Sequence, residues 1–199
     1  MKKLLVLVLT MVMATSAFAV IDGDANSVGL YFDMTADTVE MGEVLPNTQV
    51  PVYFILTNPT FPELNGFELS YTAEGASYFA LGTVFENAAA LNIGDAANGI
   101  YIVGYGTPTA TSEATLLMTV NFLYLGGGDL LFTLSGTEPS SAGNPLLPGL
   151  LGSNSELYVG GDSTDIGNIN LRISGGPLGD PQVVATEPAT FSSVKSLYR

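Results

Sequence analysis

Asp22-Gly23-Asp24-Ala25-Asn26, with Asp33 eleven positions after Asp22, puts oxygen-bearing side chains at positions 1, 3, 5 and 12 of a loop. A hard cation such as Ca²⁺ takes roughly six to eight oxygen ligands, and this is the spacing from which a calcium loop supplies them. The pattern has defects. Ser27 stands where the loop wants glycine, Asp33 is shorter than the bidentate glutamate usual at position 12, and a strand pattern follows instead of a helix. A polar segment leading into the first strand explains the same residues. Asp162 and Asp165, in Asp162-Ser163-Thr164-Asp165 after Gly160-Gly161, form a second acidic turn. Asx-turn hydrogen bonding accounts for it without a metal. Calcium is the one cofactor these residues suggest, and the expectation is a chain that carries none.

Catalytic chemistry is largely excluded by what is missing. The chain has no histidine, cysteine or tryptophan, and from residue 20 to residue 171 it also has no lysine or arginine. Ser-His and Cys-His nucleophile systems are therefore impossible, and a zinc site would have to be built from carboxylates alone. A carboxylate pair can hydrolyse glycosides. Glu63, Glu68, Glu74, Glu86 and Glu113 are available, but no spacing singles out two of them. A non-enzymatic protein is expected. Tyr71, Tyr78, Tyr101 and Tyr105 lie on or near strand patterns and are candidates for ligand binding, to carbohydrate in particular, by stacking and hydrogen bonding. Cross-strand packing is the competing role for each. Gly126-Gly127-Gly128-Asp129 lacks the following helix that phosphate binding requires, and reads as a flexible hairpin turn.

The elements that must position these residues are strands. Period-2 runs bounded by Gly, Pro and Asn cover 28–34, 39–44, 50–58, 66–72, 78–85, 99–106, 114–125 and 130–135, with weaker candidates at Leu157–Val159 and 166–173. In 50–58 both alternating sets are mostly apolar, which predicts a strand covered on both faces, with Pro51 placing its start at an edge or bulge. Residues 88–97 have room for a short helical turn, while 136–155, rich in Pro, Gly, Ser and Asn, read as a long crossover tucked over the body. About ten strands with no long helical period predict an all-β, antiparallel two-sheet sandwich over 20–173.

The two ends read differently. Lys2 and Lys3, the apolar run 4–13 and Ala17-Phe18-Ala19 have the form of a cleaved export signal over 1–19. The run is short of the ~20 apolar residues a membrane span needs. Residues 174–189 form a Gly/Pro-rich linker. In 190–199, Phe191, Val194 and Tyr198 fall at helical spacing, with Lys195 and Arg199 toward the end, as in a short terminal helix or an address tag.

Removal of the signal leaves three bases, Arg172, Lys195 and Arg199, against nineteen acids. That balance excludes nucleic acid and repels anionic lipid. An apolar content of 47% against 12% charged argues for a folded core, which without cysteine is held by burial. The expected place is outside the cytoplasm: extracellular, at the cell surface or in the periplasm.

Three blocks carry a family resemblance. Residues 49–58, QVPVYFILTN, are similar to an early V-x-V-x-L-x-N strand, 64–71, LNGFELSY, to a G-F-x-[FL]-x-[LI]-x-Y strand, and 113–122, EATLLMTVNF, to a later L-[LA]-x-[LIV]-x-F strand. In order and spacing, 28–135 resembles the cohesin-like family of bacterial β-sandwiches, with Thr72-Ala73 where that family often has Asp-Pro. The resemblance implies a nine-stranded jelly roll of the kind found in cellulosome scaffolds and other secreted surface proteins. Together these readings predict an exported, cohesin-like binding module that meets a protein partner or a polysaccharide. The alternative is a structural subunit that self-associates into a fibre or surface layer through edge strands or terminal segments.

Overall fold

The computed structural model describes residues 24–162 and 171–176. The signal-like segment, the linker beyond Gly176 and the 190–199 segment lie outside them. Eleven strands make up the described chain: β1 (Ser27–Tyr31), β2 (Glu40–Met41), β3 (Thr48–Thr57), β4 (Glu63–Phe85), β5 (Ala90–Asn92), β6 (Ile100–Ala110), β7 (Ala114–Ser135), β8 (Gly149–Gly152), β9 (Leu157–Val159), β10 (Gly161–Asp162) and β11 (Leu171–Ile173). A single 3-10 turn, Ala96–Asn98, precedes β6. The all-β architecture is as expected, with pairings antiparallel except β1 with β10 and β11 with β2.

Two strands are far longer than the sequence reading allowed, and they build the sandwich. The runs 66–72 and 78–85 are one strand, β4, and the runs 114–125 and 130–135 are one strand, β7. The two pair antiparallel throughout, 70–75 with 130–135 and 77–85 with 118–126, with irregular register around Gly75 and Ser77. Gly126-Gly127-Gly128-Asp129 is thus not a hairpin turn. It is a bend inside β7, with positive φ at all three glycines (87, 97 and 129°), a conformation open to glycine because it has no Cβ.

Ring contacts show what the bend does. Phe122 and Phe132 lie ten residues apart on β7, which in a straight strand would be roughly 33 Å. Their ring centroids are 4.9 Å apart. The strand folds over on itself, so its two halves belong to opposing layers. β4 does the same: Tyr71 and Tyr78 both pack on Phe122, each at 5.8 Å. One layer runs β10-β1-β3-β7-β4, using the first half of β7 and the second half of β4. The other runs β5-β6-β4, using the first half of β4, and continues into β8, the second half of β7, β11 and β2.

The core between the layers is filled by alternate residues, such as Val50, Val52, Phe54 and Leu56 from β3 and Leu130, Phe132 and Leu134 from β7. The opposite face of β3 is also partly covered, because Ile55 packs with Tyr31 and Ala36. Pro51 falls where β3 pairs with β7 but not with β1, so its missing N–H costs no ladder bond. The 136–155 region is more ordered than a crossover. Gly149–Gly152 adds to β4 as a strand and buries Leu150. The preceding loop is fixed by Glu68, whose Oε1 accepts from Ser140 Oγ (2.9 Å) and from the N–H groups of Ser141 (2.7 Å) and Ala142 (3.3 Å).

Candidate binding surfaces

The four tyrosines do not form one exposed row. Tyr71 and Tyr101 are 7% and 1% exposed, stacked on each other with centroids 6.2 Å apart inside the core. Burial, reinforced by the neighbouring Tyr101, pushes the Tyr71 hydroxyl well above the ordinary tyrosine range. Tyr105 is half-buried against Phe67 at 6.1 Å, and its hydroxyl is pushed up by burial and by the Glu86 carboxylate. Tyr78 is also half-buried and lines a groove. Tyr71 and Tyr101 form the back wall of that same groove, whereas Tyr105 opens onto a separate hollow.

The oxygen ligands proposed for a cation are separated by the strand between them. β1 occupies Ser27–Tyr31, so Asn26 and Asp33 stand at its opposite ends, on the order of 16 Å apart. Each is engaged locally. Asn26 Nδ2 donates to Thr60 Oγ1 (3.0 Å), and Asn26 Oδ1 accepts from Thr60 N–H (2.7 Å), which ties the start of β1 to the end of β3. Asp33 Oδ1 accepts from Thr35 N–H (3.0 Å), Thr35 Oγ1 (2.8 Å) and Asp37 N–H (3.1 Å). Partial burial pushes its carboxyl up, but hydrogen bonds from Thr38, Thr35 and Asp37 outweigh that and hold it below the usual range. The Asp24 carbonyl accepts from Asn58 Nδ2. Asp162 lies in β10 opposite Val28, and Asp22 and Asp165 fall outside the described residues. Among the described residues no cluster of three or more acidic side chains is placed to hold a metal ion.

Sequence reasoning missed a shelf on the outer face of the β5-β6-β4 layer. β5 is built with inverted polarity. Asn92, paired with buried Val103, turns inward, and its Oδ1 accepts from the N–H groups of Ile102 and Gly94, both at 3.0 Å. That leaves Leu91 and Ile93 pointing out, 68% and 75% exposed. Beside them lie Ile102 and Gly104, and Gly104 stands opposite Gly66 on β4. An added Cβ at Gly104 would meet nothing within 4 Å, so the shelf has a bare backbone floor. Leu151 and Leu157 extend it from β8 and β9. The signal was legible in principle: Leu91-Asn92-Ile93 alternates, but with the polar residue on the core side.

The second surface is a groove of about 860 Å³ along one flank, where the edge of β4 beyond the bend faces the 3-10 turn. Tyr78, Phe79, Leu81 and Thr83 line one side and Ala96–Asn98 the other. Thr83 Oγ1 reaches across the layers to the Tyr101 hydroxyl at 2.7 Å.

No family model matches the sequence, and no curated protein does. Solved structures do match. A cohesin module from a Clostridium perfringens ATCC13124 family 33 glycoside hydrolase aligns over 75% of this chain and 98% of its own, at 7% identity and a TM-score of 0.50. The chain has a cohesin-like fold. A type II cohesin domain from the cellulosome of Acetivibrio cellulolyticus covers 70% of this chain and 91% of its own, at 12% identity and TM-score 0.46. The sixth cohesin of scaffoldin B from the same organism, solved in complex with a Cel5 dockerin, covers 76% and 99%, at 14% and 0.46. At these identities the likeness describes the sandwich. No helix among the described residues is long and apolar enough to cross a membrane.

Proposed function

We propose that this chain is an exported, non-enzymatic binding module that holds a protein partner outside the cell through the shelf of Leu91, Ile93, Ile102, Leu151 and Leu157. The observation that carries the reading is the inverted polarity of β5: an edge strand that turns its one polar side chain inward and two large aliphatic ones to solvent. Exposed contiguous apolar surface on a soluble domain marks an interaction site. Its chemistry favours protein over polysaccharide. The shelf is largely aliphatic over a flat glycine floor, and Tyr105, which also lines it, is half-buried with its ring against Phe67, so the shelf offers little of the open aromatic face on which sugars stack. Its one carboxylate, Glu68, is committed to the Ser140 hydroxyl and the Ser141 and Ala142 N–H groups.

The absence of histidine and cysteine, together with a cation set split by β1, supports a module that needs neither catalysis nor a cofactor. The expected melting temperature is therefore unchanged by EDTA. The test is a paired capture from an exported-protein fraction with immobilised wild-type chain and the Leu91→Asp/Ile93→Asp variant, beside a glycan array. A protein held by the wild type and lost by a folded variant supports the reading. Retention of the same protein by the variant, or binding only on the glycan array, overturns it.

A further inference from the structure

Beyond the bend, β4 leaves an edge that the described chain does not cover. Residues 77–85 pair with β7 on one side, and among the described residues no strand pairs with the other. The edge is nine residues long, or about 30 Å, and contains no charged residue and no proline. Phe79 is 61% exposed, and Leu81 and Val84 are also exposed. Natural sheets blunt such an edge with charge, proline, a bulge or a covering segment, because it is a template for further pairing. Here only the register irregularities between Ser77 and Tyr78 and between Ala80 and Gly82 serve that purpose.

Gly176, the last described residue, lies on the far edge of β7 from β4, about two strand spacings (~10 Å) from the start of this edge. Gly175 and Gly176 line a small cavity together with Gly126, and Gly126 is the register partner of Ser77, the first residue of the open edge. Thirteen residues separate Gly176 from Thr190, enough to reach on the order of 45 Å. The segment that follows carries Phe191, Val194, Leu197 and Tyr198, with Lys195 and Arg199 as its only charged side chains. Glu74 lines the groove, and Glu86 and Asp95 flank it. A second copy is the poorer occupant. Antiparallel pairing of two such edges would bring Glu74 of one copy toward Glu86 of the other at both ends, and like charges opposed across strands are destabilising.

We infer that residues 190–199 dock in cis into the open flank, covering Tyr78, Phe79 and Leu81 with their apolar side chains and setting Lys195 and Arg199 against the flanking carboxylates. Tethering raises the local concentration of the segment to roughly millimolar, so modest intrinsic affinity keeps the groove filled. The tail is then a built-in cover for this edge and leaves the shelf free.

The test compares the full exported chain with Phe191→Ser/Val194→Ser/Tyr198→Ser and, from the groove side, with Leu81→Ser. Amide hydrogen exchange across 77–85 is expected to quicken at least tenfold in both variants, while exchange across 90–93 on the shelf stays unchanged. Ahead of the last residue the exported chain offers trypsin only Arg172 and Lys195, and cleavage at Lys195 is expected to speed up alongside. Light scattering is expected to show a monomer throughout. Unchanged exchange across 77–85 in both variants overturns docking. A wild-type polymer that collapses in the tail variant overturns docking in cis and favours strand exchange between copies. Neither result bears on capture by the shelf, so the two readings fail separately.

Discussion

β4 and β7 both cross from one layer to the other at glycine, yet the flanks beside the two crossings are finished differently. β7 is paired on both sides almost throughout, with β3 and then β11 on one edge and β4 on the other. Beside its bend the chain adds backbone bonds from Val44 N–H to Ser174 O (3.0 Å) and from Glu43 N–H to Gly176 O (2.8 Å). Arg172, the one cation among the described residues, sits there against Asp129 and Glu40. β4 has strands on both edges only before its bend. After it, one edge faces a groove lined by aromatic and aliphatic side chains. The same device closes one flank with strands and leaves the other open, so the open flank is where the fold has room for an occupant.

The strongest way to break this comparison is to disturb the β4 crossing. Gly75 has φ of 104°, and an added Cβ would run into the carbonyl oxygen of Asp129 on β7. Gly75→Val combines a disallowed backbone with that overlap, and a loss on the order of 3–5 kcal/mol is expected in urea denaturation. The contrasting change on β7 is milder. Gly127 has a similar φ of 97°, but its added Cβ meets nothing within 4 Å. Gly127→Ala then carries only the left-handed penalty, about 1–2 kcal/mol. Equal losses in the two variants would show that the crossings are not packed differently.

These crossings also mark the limit of the sequence. Alternation located every long run, since inward and outward residues must alternate along any strand. A glycine run between two apolar runs gives the same signal whether the chain reverses or merely changes layer, and the choice depends on partners elsewhere in the chain. β8 was hidden because its core residue, Leu150, stands among prolines and glycines that read as loop. The burial of Tyr71 was within reach: it continues the phase of Phe67 and Leu69. The calcium spacing failed for the opposite reason, because positions 1 to 12 form a loop only if the chain curls, and Ser27–Tyr31 extends it. Leu91 and Ile93 fall in 88–97, read as room for a short helical turn, and it is the pairing of β5 with β6 that turns them outward.

The smallest effects probe the sealed flank. Arg172 donates to Asp129 Oδ2 through Nε at 3.0 Å and approaches it through an outer nitrogen at 2.7 Å. Both side chains are about a third exposed, which keeps such a pair to about 1 kcal/mol or less. Arg172→Gln is expected to cost no more than that, and less still at high salt. The pH dependence follows from Asp129. A hydrogen bond from Ser174, with the Arg172 guanidinium beside it, holds its carboxyl below the usual range. A carboxyl depressed in the folded state adds stability that is fully present above the unfolded value of about 3.9 and is lost as pH falls through the folded value. The melting temperature of the wild type should therefore decline below about pH 4 more steeply than that of Arg172→Gln, with the two curves parallel at neutral pH. A variant whose acid limb matches the wild type would remove Arg172 from the seal and leave Ser174 and the strand pairing to hold that flank alone.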